Sequence, residues 1–228
     1  GFAIPEPELP GLALAVETEE LGIHGGLMDR VAQVFGGLTY MDLSPEALGV
    51  DGRPLVQNLP PDNLPGLFIA WNDRLAAGSE EVHNPLRERV ERGEPAALHL
   101  LAELAELADR ARDVLLAGDG LGLIPIMTRN FELRSRLIDV GDGNRALVEA
   151  GLRVGAGVKQ AGSGGAVVGA HDGDPARLAR LRTAYGRIGA RFVVPSVWSG
   201  PTVASTPGAE GLRDGPRRHS RSGESSGA

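Results

Sequence analysis

The segment Ile23–Leu43, IHGGLMDRVAQVFGGLTYMDL, constrains the fold more than any other stretch of the chain. A glycine pair, Gly25-Gly26, precedes an amphipathic run in which Val31, Val34 and Phe35 fall on one face, so the spacing predicts a helix over 27–35. A second pair, Gly36-Gly37, ends that helix. The following LTYMDL, residues 38–43, is rich in strand formers. Asp29 stands in the first turn of the helix, and Glu17, twelve residues earlier, stands at the end of a helical pattern that begins at Glu8. Two carboxylates held this way can divide a task, one binding a metal and the other handling a proton.

The rest of the chain reads as mixed structure. Residues 44–65 are loop-rich, with a short strand at 54–59 and a domain boundary near Pro60-Pro61. GLFIAWND, 66–73, reads as a buried strand. Helices are expected at 80–92, 96–117, 121–137, 144–154 and 175–188. The 96–117 helix is the clearest, with Leu101, Leu104, Ala108, Ala111 and Leu115 at steps of three and four. Strands are expected around Val158, at 166–170 and at 191–197, with a glycine-rich turn at 162–165. Helices segregated from a small, mostly antiparallel sheet define an α+β class. From about Ser199 the chain is Ser, Gly, Pro and Arg without periodicity and reads as a disordered tail, 199–228.

Composition narrows the function classes. A net charge of −7 argues against a broad electropositive nucleic-acid face. No apolar run approaches the ~20 residues of a membrane span. The first residues carry no signal-peptide pattern, so a cytoplasmic location is expected. The absence of cysteine excludes disulfides and thiolate metal sites. Lys159 is the single lysine against 22 arginines, a compositional bias.

Each candidate residue has a structural and a functional reading. Asp29 can simply meet the helix dipole and the free N–H groups of a first turn. It can equally sit beside a substrate hydroxyl and accept or guide its proton. Glu17 belongs to the acidic run Glu17, Glu19, Glu20, which suits a solvated face, yet it extends the row Leu9–Ala13 and reads as inward-looking. An inward carboxylate needs a cation or a hydrogen-bond partner, and Mg²⁺ with phosphate oxygens would serve. The segment around Gly162, Ser163, Gly164 and Gly165 fits a glycine hairpin between strands, or a loop that lets backbone approach a phosphate. It is neither a Walker A loop nor G-x-G-x-x-G. The five histidines are scattered without metal-ligand spacing.

Four collinear segments, ELGIHGGLMDRVAQVFGGLTYMDL, VHNPLRERV, IMTRNFELRSRL and GAGVKQAGSGGAVV, resemble the GHMP kinase superfamily, most closely its glucuronokinase-type sugar-1-kinases. The resemblance implies the end of a ribosomal-protein-S5-like N-terminal kinase domain over 1–61, followed by a ferredoxin-like C-terminal domain over 62–198. It implies a kinase that uses ATP and Mg²⁺ to phosphorylate a sugar hydroxyl, with D-glucuronate giving the 1-phosphate as the first expectation. By the same resemblance Asp29 is the base or orienting carboxylate and Glu17 the Mg²⁺ ligand. Gly162, Ser163, Gly164 and Gly165 buttress the nucleotide phosphates, and Asn130 lies near substrate. Partners are then the sugar and ATP, with no nucleic acid and no membrane.

The chain departs from the family pattern in three places. It has neither the P-x-x-x-N-L-x-G-E-H motif nor the P-x-x-x-G-L-S-S-S-A phosphate loop, and Ala161 replaces a usual Thr. The expectation is a C-terminal portion that binds ATP poorly and does not turn over alone. The alternatives are a GHMP kinase for galactose, fucose, a heptose or mevalonate, or a non-catalytic binding module. A Rossmann-type site is disfavoured because the glycine turn joins two strands and does not open a helix.

Overall fold

A computed structural model describes residues 4–23, 25–48, 52–75 and 86–197. The tail, the first residues of the expected 80–92 helix, and three of the five histidines lie outside the described residues; residues 86–91 are helical.

The chain opens with a helical hairpin. Helix α1 (Leu9–Ala15) runs on into a wider turn, Val16–Glu20, in which the Leu21 N–H reaches the Val16 carbonyl five residues back at 3.2 Å. The Ile23 N–H then returns to the Glu17 carbonyl at 2.8 Å, and the chain re-enters helix α2 (Leu27–Phe35). Strands β1 (Leu38–Asp42) and β2 (Leu55–Leu59) pair antiparallel, with Leu38 opposite Leu59 and Asp42 opposite Leu55. A single helical turn, α3 (Pro45–Leu48), follows β1. Val31 and Phe35 of α2 bury against Val56 of β2. This is why the run of Val31, Val34 and Phe35 holds a helix of only nine residues.

The second sheet consists of β3 (Gly66–Trp71), β4 (Gly157–Ala161), β5 (Ala166–His171) and β6 (Arg191–Val193), in the order β4-β5-β3-β6 with every neighbouring pair antiparallel. Between β3 and β4 lie the short helical stretch 86–91 and the longer helices α4 (Pro95–Leu116), α5 (Leu123–Leu137) and α6 (Asp142–Leu152), and α7 (Pro175–Arg187) lies between β5 and β6. That order and connectivity are ferredoxin-like, and the α+β expectation holds.

Register assigns each strand residue to a face. Phe68, Gly169 and Val158 align across three strands and pack with Leu147, Val148, Leu181 and Tyr185 of α6 and α7. Leu67, Ala170 and Val168 point the other way, toward Ile124 and Met127 of α5 and Leu115 of α4. Gly169 is glycine for a packing reason, since a Cβ there would run into the Phe68 ring. The first sheet joins this layer through Tyr40, whose hydroxyl donates to Asp109 of α4 and whose ring lies 4.7 Å below the Arg112 guanidinium carbon.

Two details differ from the sequence-based expectations. The buried face of α4 runs through Ala97, Leu100, Leu107 and Leu115, while Leu101 and Leu104 are half-buried and Ala108 is exposed. A helix with this many leucines offers two overlapping stripes, and α5 selects one of them. The last strand is three residues, not seven, because Val194 and Val197 find no cover and stay exposed.

Candidate active site

Glu17 and Asp29 are brought to one place by the helical hairpin. The wide turn at 16–20 rotates Glu17 toward α2, where its carboxylate forms an ion pair with Arg30. Both groups are substantially covered, with side chains 28% and 15% exposed. The expected inward row Leu9–Ala13–Glu17 is not what buries Glu17, because Ala13 is exposed; the partner is the Arg30 guanidinium. Arg30 also donates to the Gly26 carbonyl at 3.2 Å. Gly25 closes over the pair, and a Cβ there would lie 3.1 Å from both the Arg30 and the Glu17 side chains.

Asp29 occupies the first turn of α2, where its charge meets the helix N-terminus. Its side chain is 80% exposed, and one carboxylate oxygen lies 3.7 Å from Arg30. The arrangement is an open carboxylate beside a guanidinium that a second carboxylate holds in place. It can take a proton from an approaching hydroxyl, with Arg30 steadying the charge of the group.

Residues 162–165 form the turn between β4 and β5, with Ala161 opposite Ala166 as the last paired residues. Gly162, Gly164 and Gly165 have φ of 57°, 143° and 76°, conformations that side chains disfavour. The turn is pinned from three elements. Arg134 of α5 donates to the Gly162 carbonyl at 2.7 Å, Asn144 of α6 accepts the Gly165 N–H at 2.7 Å, and the Asn72 N–H donates to the Gly165 carbonyl at 2.8 Å. Asn144 is itself oriented by donating to the Val140 carbonyl at 2.9 Å. Ser163 is half-buried within the turn.

Asn130 lies half-buried on α5, one helical turn before Arg134 and so on the same side of the helix. Lys159 and Arg134 flank the turn, and Lys159 sits beside Val168 on the α5 side of the sheet. Among the described residues no hydrogen bond or ion pair links this set to Glu17, Arg30 and Asp29. Asn144 and Asn72 were not legible as site residues. Neither lies in a local pattern that points to the turn, and both reach it only through the fold of the sheet.

A Mg²⁺ ion is usually held by one or two protein carboxylates, with phosphate oxygens and water completing its shell. Glu17 is such a donor in kind and in burial, and Arg30 already holds it, so cation and guanidinium are alternatives for the same oxygens. No group of three or more His, Asp or Glu side chains that could cage a metal occurs among the described residues. No helix among them is long and apolar enough to cross a membrane.

No protein-family model matches the chain. Two curated relatives do. Glucuronokinase 1 of Arabidopsis thaliana is 38% identical over 162 residues, covering 70% of this chain and 44% of the relative. Probable glucuronokinase 2 of the same plant is 36% identical over 201 residues, covering 86% and 54%. The chain is a GHMP kinase homologue of the glucuronokinase type. It spans about half the length of the curated relatives it matches. The fold agrees: the phosphomevalonate kinase of Streptococcus pneumoniae, solved with phosphomevalonate and AMPPNP, superposes with a TM-score of 0.65 at 16% identity, covering 84% of this chain and 61% of that one.

Proposed function

We propose that this glucuronokinase-type homologue serves phosphoryl transfer from ATP to a sugar hydroxyl, with the anomeric hydroxyl of D-glucuronate as acceptor. The observation that carries the reading is the 36–38% identity to two plant glucuronokinases. The open, arginine-flanked Asp29 at the start of α2 supports it. Residues 1–61 are read as the end of the N-terminal kinase domain and 62–198 as the C-terminal domain.

In this mechanism Asp29 accepts or guides the proton of the attacking hydroxyl, and Arg30, 3.7 Å away, places a positive charge beside the carboxylate. The transferred phosphoryl needs positioning and charge neutralisation more than covalent help. The turn at Gly162–Gly165, fixed by Arg134, Asn144 and Asn72, is a rigid edge for the nucleotide phosphates. Asn130 is read as a substrate contact. Glu17 would hold Mg²⁺, which when bound neutralises phosphate charge.

The test is a transfer assay on the native protein followed by ³¹P NMR, with D-glucuronate, D-glucose, D-galactose and mevalonate as acceptors. A new anomeric phosphate signal with glucuronate, and not with glucose, is the expected result. Transfer to mevalonate or galactose in its place would replace the substrate assignment. Sugar binding without ATP turnover would favour a non-catalytic binding module.

A further inference from the structure

We infer that Arg134 and Lys159 form a binding site for one oxyanion, a carboxylate or a phosphate, at the edge of the glycine turn. The mechanism above uses Arg134 only to pin the turn and does not use Lys159. The proposal rests on the kinase reading only for its choice of probes.

The geometry begins with the register. Lys159 pairs with Val168, which pairs with Ile69, so all three share the sheet face covered by α5. Arg134 comes from that helix, and one edge of its guanidinium donates to the Gly162 carbonyl at 2.7 Å. Its Nε is buried and has no hydrogen-bond partner. Five residues earlier on the same helix, Arg129 shows the ordinary arrangement, with Glu103 at 2.9 Å and Glu132 at 3.1 Å. Arg134 and Lys159 have no such partner: among the described residues neither takes part in an ion pair. Both are half-buried.

Two covered cations without a counter-ion are costly unless a ligand supplies the charge. Burial first, and then the charge of Arg134, lowers the pKa of Lys159 below the ordinary lysine value. Burial likewise lowers Arg134. Among the described residues Arg134 is the charged group that acts on Lys159, and no described carboxylate offsets it. An oxyanion here would meet a planar guanidinium edge, which favours two-point contact, and an ammonium that acts as a point charge. At Gly162, whose carbonyl Arg134 holds, a Cβ would meet nothing within 4 Å, so that edge of the turn is open.

The single lysine makes the site directly readable. The 228-residue chain, labelled with [¹³Cε]lysine, gives one lysine signal whose titration reports Lys159 alone. Without ligand it should titrate below the ordinary lysine value. Inorganic phosphate or D-glucuronate should move the titration upward, and D-glucose should not. A response to glucuronate alone identifies a carboxylate site, a response to phosphate alone identifies a phosphate site, and either supports the proposal. No response to either anion at millimolar concentration overturns it. Arg134→Gln should raise the unliganded Lys159 titration by removing a like charge, and should weaken anion binding by roughly tenfold, the loss of one charge-assisted hydrogen bond. If that variant does not fold, the titration of the natural chain decides alone. A protein that transfers phosphate while Lys159 ignores both anions refutes this site and leaves the kinase reading intact; a Lys159 response supports this site whatever the transfer assay gives.

Discussion

His171, at the end of β5, is 3% exposed, and its Nδ1 accepts the Gly173 N–H at 3.1 Å. Burial is the main reason its pKa lies below 6.5, with Arg177 adding to the shift and Asp172 and Asp174 opposing it. The unfolded chain therefore binds a proton near the ordinary histidine pKa that the folded chain refuses. The stabilisation is complete above the unfolded pKa and is lost as pH falls below it. Urea midpoints should drop between about pH 8 and pH 5, and the drop should be smaller in His171→Gln; an equal drop in both would remove His171 as the cause. At the other site, Asp29→Asn keeps the shape of the side chain and removes its basicity. In the native protein it should lower transfer by about 10²- to 10⁴-fold with nucleotide affinity unchanged, measured as kcat and by calorimetry. The place of Asp29 in the first turn of α2 was readable from its position after Gly25-Gly26. The hold of Arg30 on Glu17 was not, because it depends on the wide turn at Val16–Glu20, which no residue pattern announces.

The glycine turn is an element whose shape is set by its own residues and whose position is set by others. Three glycines in four residues, all with positive φ, make the bend permissible. Asn144 on α6, twenty-one residues earlier, then fixes it through the Gly165 N–H. Asn144→Ala leaves that N–H without its partner and should destabilise the chain by about 1–3 kcal/mol. Amide hydrogen exchange should accelerate at Gly165 more than in the middle of β5; uniform acceleration would mean that the asparagine only supports global stability. Helix α4 shows the complementary case. Its period and length were legible in the leucine spacing, while the identity of the buried stripe was not. Ala97, Leu100 and Leu107 win over Leu101 and Ala108 because α5 packs on that side.

Across the whole molecule, the four-stranded sheet places one core on each face, and Phe68 is central to the α6–α7 side. Its ring stacks with Phe192 at 5.3 Å between centroids and tilts against Tyr185 at 5.6 Å. Gly169→Ala would push a methyl into that ring and should cost about 1–3 kcal/mol in chemical denaturation; an unchanged midpoint would show that the cluster can shift. The apolar periods, the glycine pairs and the proline positions determined the helices, the strands and the α+β class, because those are short-range consequences of spacing and backbone freedom. They also singled out Asp29, Glu17 and the glycine turn as candidates. Only the tertiary structure decided which charges meet. Glu17 found Arg30 through a helical hairpin, and Arg134 and Lys159 came to the same sheet face from a helix and a strand twenty-five positions apart, with no carboxylate ion-paired to either among the described residues. Ion pairing depends on distances of a few ångströms between side chains remote in sequence, and the chain's local patterns contain no such distances.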